Sequence, residues 1–207
     1  MGDFEAKQED GCRVRIVRDD RPLVIAIAGP NGAGKSTFYE TQIRPFGLRF
    51  VNADNLSRQL NIDAYKAADA ANSIRRELAR QHESFVFETV FSDPVGDKVA
   101  FLQEMEGLGY QVVLCFIGIS AADVSEQRVA MRVSKGGHDV PWQKVAERYA
   151  RTLNNLHLAM RVLPDVRVFD NDDLEYPYRL VARSERGFVR GLRKPIPGWL
   201  RPLLPKA

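Results

Sequence analysis

The octapeptide Gly29-Pro30-Asn31-Gly32-Ala33-Gly34-Lys35-Ser36 fits the pattern G-x-x-x-x-G-K-[ST]. Its residue types suit one task. Glycines let successive backbone N–H groups curl around a phosphate, which also sits on the positive end of the helix that follows. A lysine at this place reaches the β- and γ-phosphates, and the serine hydroxyl is placed for Mg²⁺. No guanine-reading N-K-x-D follows in the sequence, which favours ATP over GTP.

Two acids belong with this loop. Asp54 follows Phe50-Val51-Asn52-Ala53 and Glu88 follows Phe85-Val86-Phe87. Each therefore stands at the carboxyl end of an expected strand, where open α/β sheets bind their ligands. One acid suffices to orient an acceptor hydroxyl and take its proton, and the other to hold Mg²⁺ or its waters; the spacing leaves open which does which. Phosphoryl transfer is loose, so ordinary carboxylates serve without much tuning. Arg128 and Arg132 lie four apart, on one face of a helix. Lys135-Gly136-Gly137-His138-Asp139-Val140-Pro141 then makes a flexible link to a helix with Arg148 and Arg151. This pattern predicts a small lid near 121–151, able to bring arginines onto the transferring phosphate.

Five short apolar segments must carry these residues: Leu23 to Ala28, Arg49 to Ala53, Phe85 to Thr89, Val112 to Ile119 and Val166 to Asp170. Nearly continuous apolar character is what strands covered on both faces require. Between them, Ala64, Ala67, Ala71, Ile74 and Leu78 step at helical spacing, as do Trp142, Val145, Tyr149, Leu153, Leu156, Met160 and Leu163. Helix starts are expected at Ser120 and at Asp93-Pro94. A late hairpin is suggested at Tyr178 to Arg183 and Gly187 to Arg190. The reading is an α/β P-loop domain with a parallel sheet of about five strands, helices on both faces and a small helical lid. The leader is 1–22, the kinase domain 23–175, and 176–207 a basic, Pro-rich segment packed on it.

Composition narrows the class. Of 207 residues, 44% are hydrophobic and 28% charged, which excludes disordered, collagenous and disulfide-scaffold chains. No apolar run approaches a membrane span and residues 1–10 lack the pattern of a signal peptide, so a cytoplasmic protein without membrane contact is expected. Two cysteines, Cys12 and Cys115, are read as inert thiols. Net charge is +3, yet residues 183–207 alone carry +6. That tail could serve as a nucleic-acid footprint. Phe188, Trp199, Leu200, Leu203 and Leu204 instead favour a segment buried against the domain edge.

The ordered set Ala28 to Thr37, Asn52-Ala53-Asp54, Phe87-Glu88-Thr89 with Ser92, Arg128-Val129-Ala130-Met131-Arg132-Val133 with Gly136-Gly137-His138-Asp139-Val140-Pro141, and Asp170-Asn171 resembles the zeta toxin family of P-loop kinases. The resemblance implies an adenylate-kinase-like core, ATP and Mg²⁺, and phosphorylation of a hydroxyl on a UDP-N-acetyl-aminosugar. It makes Asp54 the acceptor-activating acid and puts Glu88 and Ser92 beside the substrate, with Ser36 and Glu88 at the metal. It extends the nucleotide contacts of Gly29, Pro30, Asn31, Gly32, Ala33, Gly34, Lys35 and Ser36 to Thr37. Arg128 and Arg132 fall in the family's lid, and an antitoxin protein becomes an expected partner. Two rivals keep the loop: a polynucleotide kinase or ATPase acting on nucleic acid, and a nucleotide-dependent interaction module.

Overall fold

The computed structural model describes residues 14–17, 19–120, 142–173 and 175–205. Seven strands form one sheet: β1 (Leu23–Ala28), β2 (Arg49–Val51), β3 (Phe85–Thr89), β4 (Gln111–Gly118), β5 (Val166–Asp170), β6 (Arg179–Glu185) and β7 (Phe188–Leu192). Their spatial order is β2-β3-β1-β4-β5-β6-β7. The first five are parallel. The suggested hairpin is present as β6 and β7, which add to β5 in antiparallel fashion. Strand β1 is buried at all six residues because it lies between β3 and β4 with cover on both faces.

The helices are α1 (Lys35–Phe38), continued to Ile43 by a wider helical turn, α2 (Ala53–Leu60), α3 (Ala64–Arg80), α4 (Asp97–Gly107) and α5 (Trp142–Val162). On one sheet face Val24, Ala26, Phe85, Phe87, Leu114 and Phe116 pack with Ala71 and Leu78 of α3, Leu102 and Met105 of α4, and Leu156 and Met160 of α5. On the other, Ile25, Ile27, Val86, Val113 and Ile117 pack with Ala33, Phe38 and Ile43. Each of the Val, Leu, Ile, Phe and Met side chains among them contributes about 1.5 to 3 kcal/mol on burial. Cys115 lies on β4, fully buried, and burial pushes its thiol up to about 12. Cys12 lies outside the described residues.

Three expectations are corrected. The second strand stops at Val51, because Asn52 turns to cap α2: its Oδ1 accepts the Asn55 N–H at 3.0 Å. Asp93 does not cap α4. That helix starts four residues later, after Gly96, because α5 holds the intervening loop by its backbone: Thr152 Oγ1 donates to Val90 O, Asn155 Nδ2 to Phe91 O and Asp93 O, and Arg151 Nε to Ser92 O. In the tail, Trp199 and Leu200 are buried, but Phe188 sits on the edge strand, 65% exposed beneath the Arg190 guanidinium.

Candidate active site

The phosphate loop hangs between β1 and α1 under tight steric terms. Gly29 has φ 147°, and a Cβ there would stand 2.1 Å from the carbonyl oxygen of Ile117. Gly34, with φ 88°, faces two side chains from the far end of the sequence: a Cβ would stand 2.8 Å from Asn171 Nδ2 and 2.9 Å from the Tyr178 hydroxyl. Both groups bind the loop's own carbonyls. Asn171 Nδ2 donates to Ala33 O at 2.8 Å and the Tyr178 hydroxyl to Gly34 O at 2.9 Å. With those carbonyls engaged from outside, the loop is held in an open curl. Tyr178 itself holds a left-handed φ of 58°, which is costly for a bulky residue and is maintained by its surroundings. One of those supports is its N–H, donated to Asn171 Oδ1 at 3.3 Å.

Lys35 is 7% exposed, and its ammonium donates to Pro30 O across the loop at 2.9 Å. Ser36 Oγ donates to Glu88 Oε2 at 3.1 Å, which joins the first turn of α1 to the carboxyl end of β3. Asn52 completes the group by donating from Nδ2 to the same Glu88 oxygen at 2.8 Å. Asn52 thus both caps α2 and aims the carboxylate. Asp54, two residues on in the first turn of α2, is exposed. Thr37 is exposed on α1, and Ser92 lies in the loop that α5 holds. Arg128, Arg132 and His138 lie outside the described residues, as does most of the expected lid; of the second lid helix, α5 covers Trp142 onward. Ser120 gives both its N–H and its hydroxyl to Asp172.

The structure therefore brings Ser36, Glu88 and Asn52 into one bonded group beside Lys35. Sequence reading gave no role to Asn52 as a bridge, nor to Asn171 and Tyr178 as the loop's supports. For Asn52 a signal existed in the single residue between a strand and a helix, where Asn is a strong cap. For Tyr178 there was none, because its partner is 144 positions away.

This order of strands, with a phosphate loop after the first of them, defines a P-loop kinase-like α/β protein. The chain belongs to the AAA domain family, whose model matches residues 24–156. An uncharacterized protein of Haemophilus influenzae is 29% identical over 137 residues, 60% of this chain and 91% of that one. Among solved structures, AvrRxo1-ORF1 with AvrRxo1-ORF2 and sulphate ions superposes with a TM-score of 0.67 at 17% identity, covering 84% of this chain and 62% of that chain. The chain thus spans less than two thirds of the matched chain of that complex. The PezAT toxin-antitoxin system of Streptococcus pneumoniae gives a TM-score of 0.52 at 16% identity, over 73% of this chain and 68% of the other. Shikimate kinase from Bacteroides thetaiotaomicron gives 0.51 at 17% identity, over 74% and 89%.

Proposed function

We propose that this chain is an ATP-dependent small-molecule kinase of the zeta-toxin kind, which moves the γ-phosphate of ATP to a hydroxyl of a nucleotide-sugar such as UDP-N-acetylglucosamine. The observation that carries this reading is the bonded group of Ser36, Glu88 and Asn52 at the lip of the phosphate loop, with Asp54 two residues beyond Asn52. Likeness in fold to AvrRxo1-ORF1, for which a structure with ATP exists, supports it, as does likeness to the PezAT system. The ordered motifs of the zeta toxin family supply the acceptor class.

Ser36 and Glu88 fit Mg²⁺. Both offer hard oxygen donors, and they stand 3.1 Å apart at an accessible position. Two protein ligands are enough for an ion that keeps several waters and takes its remaining oxygens from phosphates. When bound, Mg²⁺ neutralises charge on the β- and γ-oxygens. Asn52 keeps Glu88 aimed, and Lys35 turns from Pro30 O to the phosphates. The backbone N–H groups of Asn31 to Gly34 wrap the phosphate chain, Gly29 and Pro30 lead the loop into that curl, and Thr37 extends those contacts. Asp54 orients the acceptor hydroxyl and takes its proton as the new P–O bond forms and the β,γ-bridging bond breaks, releasing ADP. Ser92 and Glu88 border the acceptor. Arg128 and Arg132, outside the described residues, are assigned the stabilising of charge in the transition state, where such contacts are worth about 2.7 to 4 kcal/mol. An antitoxin that covers this site is the partner the reading implies, and the cytoplasm its location.

The test is a metabolite-extract screen with labelled ATP and Mg²⁺, followed by a panel of UDP-sugars. Acceptor-dependent ADP release and a gain of one phosphate on UDP-N-acetylglucosamine are expected, both abolished in Lys35→Ala. Label landing on another metabolite would remove the acceptor assignment, and label landing on none would remove the kinase.

A further inference from the structure

A cavity of about 340 Å³ lies between α3 and α4, on the sheet face opposite the phosphate-loop helix. Three cations line it: Arg75, Arg76 and Lys98. Arg76 is engaged by Glu104 at 3.5 Å. The other two have no carboxylate within ion-pair distance among the described residues. Arg75 is only 6% exposed, its guanidinium 4.7 Å from the centre of the Phe87 ring and 5.8 Å from that of Phe101. Its hydrogen-bond partner is the amide oxygen of Asn72, and Lys98 Nζ lies 3.5 Å from that same oxygen.

Two cations converging on one neutral oxygen is an expensive arrangement. An unpaired buried charge carries a large desolvation penalty, and ring faces offset only part of it. Burial lowers the Arg75 guanidinium to about 10, and burial followed by the charge of Arg75 lowers Lys98. Asp93 and Asp97 act on Lys98 through charge alone and do not bond to it. Asp93 keeps both carboxylate oxygens buried without a hydrogen-bond partner. A core that needed only packing would place a leucine or methionine where Arg75 stands. A guanidinium set against two aromatic rings, with a second cation beside it, is the chemistry that recognises a phosphate group.

We propose that the cleft between α3 and α4 is a second anion site, which binds a diphosphate through Arg75, Lys98 and Asn72. The cavity is large enough for a diphosphate carried on a nucleotide as well as for free pyrophosphate. It lies on the sheet face opposite the helix that follows the phosphate loop.

The test is calorimetric titration of the full chain with inorganic pyrophosphate and, separately, with UDP, in a Lys35→Ala background so that the phosphate loop does not compete. One Mg²⁺-independent site is expected, weakened at least tenfold by Arg75→Met. Arg80→Met, an exposed residue bonded to Glu77, is the control and should change nothing. Binding of UDP with the same dependence on Arg75 identifies a nucleotide-borne diphosphate; binding of pyrophosphate alone identifies the free ion. Arg75→Met should melt at the same temperature as the parent or higher, since it removes an uncompensated charge. A lower melting temperature together with affinity within twofold would overturn the proposal, as would absence of binding by both probes at 10 mM. If Arg75→Met does not fold, Lys98→Met decides: a loss of fivefold or more supports the site, and unchanged affinity overturns it.

Discussion

Gly34→Ala isolates the steric terms on which the phosphate loop is held. An alanine at φ 88° costs about 1 to 2 kcal/mol for the left-handed backbone alone. The added methyl would also stand 2.8 Å from Asn171 Nδ2 and 2.9 Å from the Tyr178 hydroxyl. Both side chains can swing away, but only by giving up their bonds to Ala33 O and Gly34 O, each worth about 0.5 to 1.5 kcal/mol. Strain and lost bonds together come to about 3 kcal/mol, or roughly 6 to 12 °C in melting temperature for a chain of this size. Denaturant unfolding followed by circular dichroism reads the loss, and it should be repeated in an Asn171→Ala, Tyr178→Phe background. There the methyl meets no polar atom, and Gly34→Ala should cost only the backbone strain of about 1 to 2 kcal/mol. Equal losses in both backgrounds, within about 0.5 kcal/mol, would refute the steric account.

Asp54→Asn keeps shape but removes the proton acceptor, so phosphoryl transfer should fall by roughly 10² to 10⁴ while ATP still binds; rescue by excess Mg²⁺ in a rate assay would instead make Asp54 a metal ligand. Trp199→Ala should cost about 3 to 5 kcal/mol in denaturant unfolding, because the indole packs on Gly118 and Phe116 and donates from Nε1 to Asp170 at 3.0 Å. Full stability in that variant would show the tail to be ornamental. Cys115 makes stability depend on pH. Its folded thiol, raised to about 12, keeps its proton where the unfolded one sheds it above about 9, so its contribution is whole below pH 9 and is lost as pH rises toward 12. Stability measured from pH 8 to 10 should fall by about 1 kcal/mol more than in Cys115→Ala, and parallel curves would count against a buried thiol.

The parallel strands could be read from sequence because each is an apolar run covered on both faces, and the physics of burial leaves such a run few alternatives. Strands β1, β3 and β5 accordingly occupy their expected residues. Reading failed where a distant side chain decides a local shape. Asp93-Pro94 carries a good capping signal, yet Asn155 and Arg151 on α5 hold that stretch by its backbone and delay the helix to Asp97. The phosphate loop was legible as a motif, since its chemistry demands adjacent residues. Its supports were not, since Asn171 and Tyr178 act from the other end of the chain. Arg75 was hidden for a different reason: a basic residue within an amphipathic helix looks like solvated surface until the rings of Phe87 and Phe101 are seen to enclose it.

The bonds from Asn171 and Tyr178 to the loop give this protein a built-in order of assembly. During synthesis the whole phosphate motif leaves the ribosome more than a hundred residues before the side chains that brace it. A nascent or prematurely terminated chain ending before residue 171 therefore has the motif's letters without its braces. On the function proposed above, competence to hold nucleotide is deferred until Asn171 and Tyr178 are in place, so a half-made chain is a silent one.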